Sequence, residues 1–293
     1  MGQAEGKGKA MPVNDMEIPL PDFTDPPVIE VALSVQFDAL SALRTPQLGL
    51  LWQEFRKEFP ATEEHPPLEP VIERFGVRPT QEGAVRVEML RRPPTPRCWF
   101  LNKDGTELIQ IQQDRFVRNW RKVGDKSTYP RYEDHVRPTF QRDLKRFQAF
   151  LQREQLGDLK PNQCEVTYVN HIPAGQGWQE HGDLGEVITV FQRSFSDSFL
   201  DIPEDARLRL RFLIPDEDQA GKPIGRLHIE IRSGFRSNDK HPLFIMTLTA
   251  RGAPCGDGID GVLGFLDLGR KWIVRGFVSI TTRKMHKLWG GKK

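Results

Sequence analysis

Ile29–Phe37 reads IEVALSVQF, and Cys164–Ile172 reads CEVTYVNHI. In both, core-type residues alternate with polar or small ones and β-branched side chains are frequent, which is the two-residue period of a strand with one covered face. Each stretch opens the same run of elements. After the first, Thr45-Pro46 reads as an N-cap followed by proline at the first helical position. Leu48, Leu51, Trp52, Phe55 and Phe59 then recur at helical spacing until Pro60 stops the helix. Beyond Pro66, Pro67 and Pro70 come strand candidates at Val71–Phe75, Ala84–Leu90, Cys98–Leu101 and Leu108–Val117. Asn102-Lys103-Asp104-Gly105 reads as a hairpin turn, because Asp-Gly tolerates the positive φ such turns need. Tyr132, Val136, Phe140, Leu144, Phe147 and Leu151 then predict an amphipathic helix, with Pro138 near its first turn and Gly157 and Pro161 marking its end.

After Cys164–Ile172 the order returns. A helix is predicted over Leu184–Phe195, and strands over Arg207–Ile214, Arg226–Arg232 and Leu243–Ala250. A long helix from about Ile259 to Phe277 follows, then a short one capped by Thr282 and ended before Gly290. The expected fold is therefore α+β. It comprises two β-α-β(3–4)-α halves, residues 28–157 and 158–290, each with an antiparallel sheet carrying its helices on one face, packed as one unit with a possible pseudo-twofold. Residues 1–27, polar and rich in proline and glycine, are expected to be a disordered lead-in, and residues 291–293 a frayed tail.

Composition narrows the function classes. The 293 residues carry 42 basic and 40 acidic side chains, a net charge of +2, which excludes a uniformly basic nucleic-acid coat and an acidic tail. The three cysteines, Cys98, Cys164 and Cys255, are odd in number and far apart, so a disulfide scaffold is not expected and a reducing cytoplasm is. The longest apolar run, Leu243–Met246, is too short to span a membrane. No CxxC or HxxxH spacing points to a metal, and Gly221-Lys222 lacks the frame of a phosphate-binding loop, so no cofactor is expected. Glu63-Glu64-His65, set among prolines, reads as a solvated connector.

Three groups of residues carry possible chemistry. Gln110–Lys122, QIQQDRFVRNWRK, interleaves Phe116 and Trp120 with Arg118, Asn119 and Arg121, the composition of a surface where guanidinium groups meet phosphates and rings stack. Period two places Phe116, Arg118 and Trp120 on one face, which something must cover or use. A second array alternates Arg207, Arg209 and Arg211 with Leu208, Leu210 and Phe212, and Arg226, His228, Glu230 and Arg232 with Leu227, Ile229 and Ile231. If these strands pair, an arginine-rich sheet surface results, suited to carboxylate or phosphate groups. Tyr168, Asn170 and His171 end a strand, a common place for pocket residues.

Four segments resemble a sporadically distributed bacterial family of uncharacterised proteins. They are Phe23–Val31 (FTDPPVIEV), Asp114-Arg115-Phe116 with Asn119–Lys122, Glu165–Ile172 (EVTYVNHI), and Trp272–Phe277 with Ile280-Thr281-Thr282 and His286-Leu288-Trp289-Gly290. The resemblance runs from about Phe23 to Gly290 and implies a bacterial cytoplasmic protein with no assigned activity and no catalytic residues to carry over. A patchy distribution suits accessory or mobile-element genes, such as phage defence. Gly269-Arg270 departs from the small residue and histidine that the resemblance would place in the last long helix.

Basic and aromatic composition without a catalytic constellation points to a non-enzymatic binding module, acting through a sheet face or the groove between the halves. The expected contacts are Phe116, Arg118, Asn119, Trp120 and Arg121 first, and Tyr168, Asn170 and His171 second. A protein is the expected partner, with nucleic acid as the alternative and no membrane. An enzyme would need His171 or His228 to meet a carboxylate in a pocket.

Overall fold

The computed structural model describes residues 19–76, 94–124, 127–191, 199, 203–217, 219 and 221–291. The strand expected at Ala84–Leu90 and the lead-in up to residue 18 lie outside them. Among the described residues there are nine strands: β1 (Val28–Phe37), β2 (Ala61–His65), β3 (Arg97–Leu101), β4 (Glu107–Gln112), β5 (Arg115–Arg121), β6 (Pro161–Pro173), β7 (Arg207–Pro215), β8 (Pro223–Phe235) and β9 (Pro242–Gly252). They form one sheet in the order β2-β3-β4-β5-β1-β6-β9-β8-β7. Every neighbouring pair is antiparallel.

The molecule is thus α+β with an antiparallel sheet, but the two sheets expected from sequence are one. β1 and β6 pair from Val28↔Asn170 to Phe37↔Pro161. Each would otherwise leave a row of unpaired backbone groups along one side, and joining the two edges satisfies both.

All the long helices cover one face of the sheet. α1 (Thr45–Phe55) meets β3 through Phe55 and Phe100, and α2 (Arg137–Arg153) meets β1 and β5 through Phe147, Phe37 and Phe116. α4 (Gly258–Ile280) lies over β6 and β9. Glycine lets it approach closely, since a Cβ on Gly269 would stand 3.1 Å from Ala250 Cβ and 3.2 Å from Val166 Cγ2. Tighter still is Gly252 on β9, where a Cβ would collide with the Ile224 carbonyl and the Phe265 ring. Neither neighbour is free to rotate away, so Gly252→Ala is expected to cost about 1–3 kcal/mol in a denaturant unfolding titration, the usual range for overpacking.

Five further departures from the sequence reading have local causes. The strand expected over Leu108–Val117 is two, β4 and β5, because Gln113 and Asp114 make the turn that pairs them. Of the helix expected over Leu184–Phe195, residues 192–195 lie outside the described residues, and the rest is broken into α3 (Leu184–Val187) between two 3₁₀ turns, because Ile188 is extended and bridges to Thr281. Glu63-Glu64-His65 belongs to the edge strand β2, paired with β3. Val71–Phe75 joins no ladder, and its role is described below. Of the expected disordered lead-in, residues 19–27 are placed. Phe23 is buried against Phe277 and Trp289 and bridges to Gly291 of the expected tail, beside the last helix α5 (Arg283–Leu288).

Candidate functional site

The two-residue period divides the sequence-predicted residues between the faces. Phe116, Arg118 and Trp120 share a face, as expected, but it is the helix-covered one. Phe116 is fully buried between Phe140 and Phe147, and Trp120 packs on Tyr129 at 5.6 Å. Arg118 is 5% exposed and places Nε 2.8 Å from Asp143 Oδ2 and Nη2 2.8 Å from Glu107 Oε2. These three are therefore core groups in this structure and present no open stacking platform. Tyr168 and Asn170 are buried on the same face, where the Tyr168 hydroxyl lies 2.8 Å from that of Tyr129 and Asn170 Nδ2 donates to the Met246 carbonyl at 3.1 Å.

Asn119, Arg121 and His171 take the opposite parity. Asn119 donates to Glu30 at 2.6 Å and accepts from Gln110 at 2.8 Å, and Arg121 Nε donates to the Gly105 carbonyl within the hairpin. Burial, with Arg232 and Arg236 nearby, holds the His171 pKa below the ordinary imidazole value, which favours its neutral form. The eight residues do not converge on one site.

The open face carries a different arrangement. It presents Gln110 and Gln112 of β4, Arg115 of β5, Gln36 of β1, Gln163 and Glu165 of β6, Arg251 of β9, and Arg226 and His228 of β8. The second basic array therefore lies where its period predicted, with Arg207, Arg209 and Arg211 of β7 on the same side. Across these strands runs a strap, residues 66–76, held extended by Pro66, Pro67 and Pro70, whose rings fix φ and remove three N–H groups.

The sheet grips the strap through its backbone. Leu68 N–H donates to Gln112 Oε1 at 2.9 Å, and Gln112 Nε2 returns a bond to the Leu68 carbonyl at 2.9 Å. Val71 N–H donates to Gln36 Oε1 and Glu73 N–H to Gln163 Oε1, both at 2.9 Å. Arg115 Nη2 donates to the Glu69 carbonyl at 3.1 Å and to Gln36 Oε1 at 2.7 Å. The apolar side chains of Leu68, Val71 and Ile72 are meanwhile 38%, 39% and 48% exposed. They contribute little to the grip.

One side chain is held firmly. Glu73, 6% exposed, pairs with Arg226, with His228 Nε2 at 2.6 Å and with Arg251 Nη1 at 3.5 Å. Phe75 lies beneath Arg226, its ring centre 5.1 Å from the guanidinium. Burial by itself would raise the Glu73 pKa. The His228 hydrogen bond and the surrounding positive charges outweigh that and hold it below the usual 4.5. Burial lowers the Arg115 pKa against the pull of Glu165 and Asp114, with Arg251 adding to the lowering, and burial lowers that of Arg97 with Arg115 adding to the effect. His228 does meet a carboxylate, as an enzyme would require, but Glu73 is shared with two arginines and serves as an anchor.

The sign of the pH effect follows. A carboxylate with a depressed folded pKa stabilises docking above its unfolded value and loses that contribution as pH falls through the depressed one. The amide signals of Leu68, Val71 and Glu73 in ¹⁵N NMR should therefore move toward random-coil positions as pH falls below 4.5.

The sequence held a signal for this site in Gln36, Gln110, Gln112 and Gln163. Long amides at strand positions that prove 3–8% exposed need partners, and three of these four find them in the strap backbone. Among the described residues no cluster of three or more His, Cys, Asp or Glu side chains is arranged to hold a metal, and no helix is long and apolar enough to cross a membrane. Comparison with family models, curated proteins and solved structures gives no match.

Proposed function

We propose that the protein is a non-enzymatic binding module whose open sheet face takes an extended, proline-containing polypeptide segment bearing an acidic residue. The observation that carries this reading is the strap. Three strands read three of its backbone N–H groups through glutamine amides, and the anchored side chain is a carboxylate. Main-chain hydrogen bonds are offered by any extended segment, and a trio of cations selects an acid among them. On this reading the strap is a resident occupant that a partner segment displaces. The family resemblance adds a bacterial, cytoplasmic setting and an accessory or mobile-element role to the proposal. The recurring element order of residues 28–157 and 158–290, meeting at the β1–β6 pair, accords with an internal repeat.

The test uses the full chain with residues 66–76 replaced by a glycine-serine linker of equal length, and a fluorescent peptide of the strap sequence. Saturable binding is expected, weakened at least tenfold when the peptide carries Glu73→Ala, because a lost charged hydrogen bond costs about 1.5–3 kcal/mol. Absence of binding, or binding indifferent to the glutamate, would overturn the reading. Tighter, salt-steep binding of single-stranded DNA or RNA would replace it with nucleic-acid recognition. Should the linker variant not fold, the full chain carrying Glu73→Ala serves as the receptor.

A further inference from the structure

On the helix-covered side of the sheet, away from the strap, all three tyrosines of the chain meet. They are Tyr129, Tyr132 and Tyr168. The Tyr129 and Tyr168 hydroxyls are 2.8 Å apart. The Tyr132 hydroxyl donates to Asp267 Oδ1 at 2.9 Å, and Arg137 closes on the same carboxylate with three hydrogen bonds. Over the Tyr132 ring, 4.9 Å from its centre, lies the guanidinium of Arg270.

Arg270 is under-paired for a group so enclosed. Its side chain is 14% exposed and Nη2 donates to Glu133 at 3.2 Å. Nε and Nη1 are buried and make no hydrogen bond of standard geometry among the described residues, although the guanidinium lies close enough to act on the Tyr129 hydroxyl as a donor. Guanidinium N–H groups are rarely left so, because an unmade bond in a dry site costs the full desolvation of the donor. Arg270 is one of the residues that line a cavity of about 60 Å³, together with Phe23, Tyr129, Arg131, Tyr168 and Asn170. That is more than one water requires and enough for a small charged group.

The backbone beside this cavity is irregular in two ways. Arg131 has φ 70° and ψ 151°, a conformation that side-chain-bearing residues avoid and that persists only where surroundings enforce it. Its guanidinium is tied to Asp22 Oδ1 and to the Phe23 carbonyl, both at 3.0 Å. Directly after it, Tyr132–Val136 form a π-helical turn, a form that concentrates at functional sites. Together these place Tyr129 and Tyr132 on either side of one strained residue, both turned toward Arg270.

We propose that this cavity binds the oxyanion head of a small ligand, a carboxylate or phosphate group, through Arg270 and the Tyr129–Tyr168 hydroxyl pair. What the site has to offer is donors. Burial raises the pKa of both tyrosines above the usual 10, so their hydroxyls stay protonated. One hydroxyl donates to the other, which leaves the second proton for a ligand oxygen. The nearby carboxylates are engaged, Asp267 with Tyr132 and Arg137 and Glu133 with the far side of Arg270. An anion is the species this set of donors complements.

Because every tyrosine is here, the tyrosines are a selective reporter. The full chain labelled with 3-fluorotyrosine should give three ¹⁹F resonances, assigned with Tyr129→Phe and Tyr168→Phe. Titration with inorganic phosphate and, separately, with acetate at constant ionic strength is expected to move the Tyr129 and Tyr168 signals saturably for at least one anion. Whichever does so identifies the source, while chloride should leave them in place. Arg270→Met should weaken that response at least tenfold. Unmoved signals with both anions, or a response equal in Arg270→Met, would overturn the proposal. If Arg270→Met does not fold, Tyr168→Phe, which keeps the ring and removes one hydroxyl, is expected to weaken the Tyr129 response, and an unchanged response there overturns it equally.

Discussion

Arg118→Ala is expected to destabilise the fold by about 3–5 kcal/mol, the cost of removing one partner from a buried ion pair and leaving the other charged. Asp143 is fully buried on the inner side of α2 and keeps Arg142, and Glu107, 17% exposed, keeps His135, but both lose the enclosed Arg118 guanidinium that joins them. A urea titration measures this directly. The double substitution Arg118→Met with Asp143→Leu should recover part of the loss, since it removes the fully buried carboxylate together with the guanidinium and restores packing, while Glu107 keeps His135. The deficit also has a pH signature. Arg118 and His135 outweigh burial and hold the Glu107 pKa below 4.5, so the wild type loses this contribution as pH falls through that depressed value. In the variant only the His135 share of it remains, so the gap between the two should narrow on acidification.

Glu73→Lys should have the second largest effect, but a local one. It places a like charge among Arg226, His228 and Arg251 where a carboxylate now sits. Hydrogen-exchange protection at the Leu68, Val71 and position-73 amides is expected to fall by about a hundredfold or more, equivalent to roughly 2.7 kcal/mol. Global stability should change little by comparison. When the strap leaves, Gln36, Gln112, Gln163 and the freed arginines meet solvent, whereas the groups around Arg118 stay enclosed under α2. Two ion-pair clusters of similar composition thus differ because water can replace one partner and not the other.

Much of the fold is legible in periodicity. IEVALSVQF and CEVTYVNHI are strands because their alternation survives into the structure, with Val31, Leu33, Cys164 and Val166 on the covered face. The same rule paired Phe116, Arg118 and Trp120, yet period two states that residues share a face and not which face is covered. Burial of Phe116 and Trp120 with Val31, Leu33 and Val35 goes with the covered face, and Asp143 on the core side of α2 supplies the partner that lets Arg118 go in with them. The single sheet was not legible because β1–β6 pairing is a contact between segments far apart in sequence. Nor was the strap. Val71–Phe75 has the composition of a strand, and only the placement of Gln36, Gln112 and Gln163 on neighbouring strands turns it into a segment lying across them. The irregular Leu184–Phe191 region was misread because the Ile188–Thr281 bridge overrides local helical spacing.

Under the proposed function, the strap occupies a surface made for an extended acidic segment. Binding of a free strap-sequence peptide to the intact chain, compared with binding to the chain carrying Glu73→Ala, measures that occupancy. A tethered strap competes at an effective concentration on the order of millimolar, so weakening its anchor should raise the apparent affinity for the free peptide at least tenfold. Equal affinity in the two chains, with the amides of Leu68 and Val71 equally protected, would contradict the account.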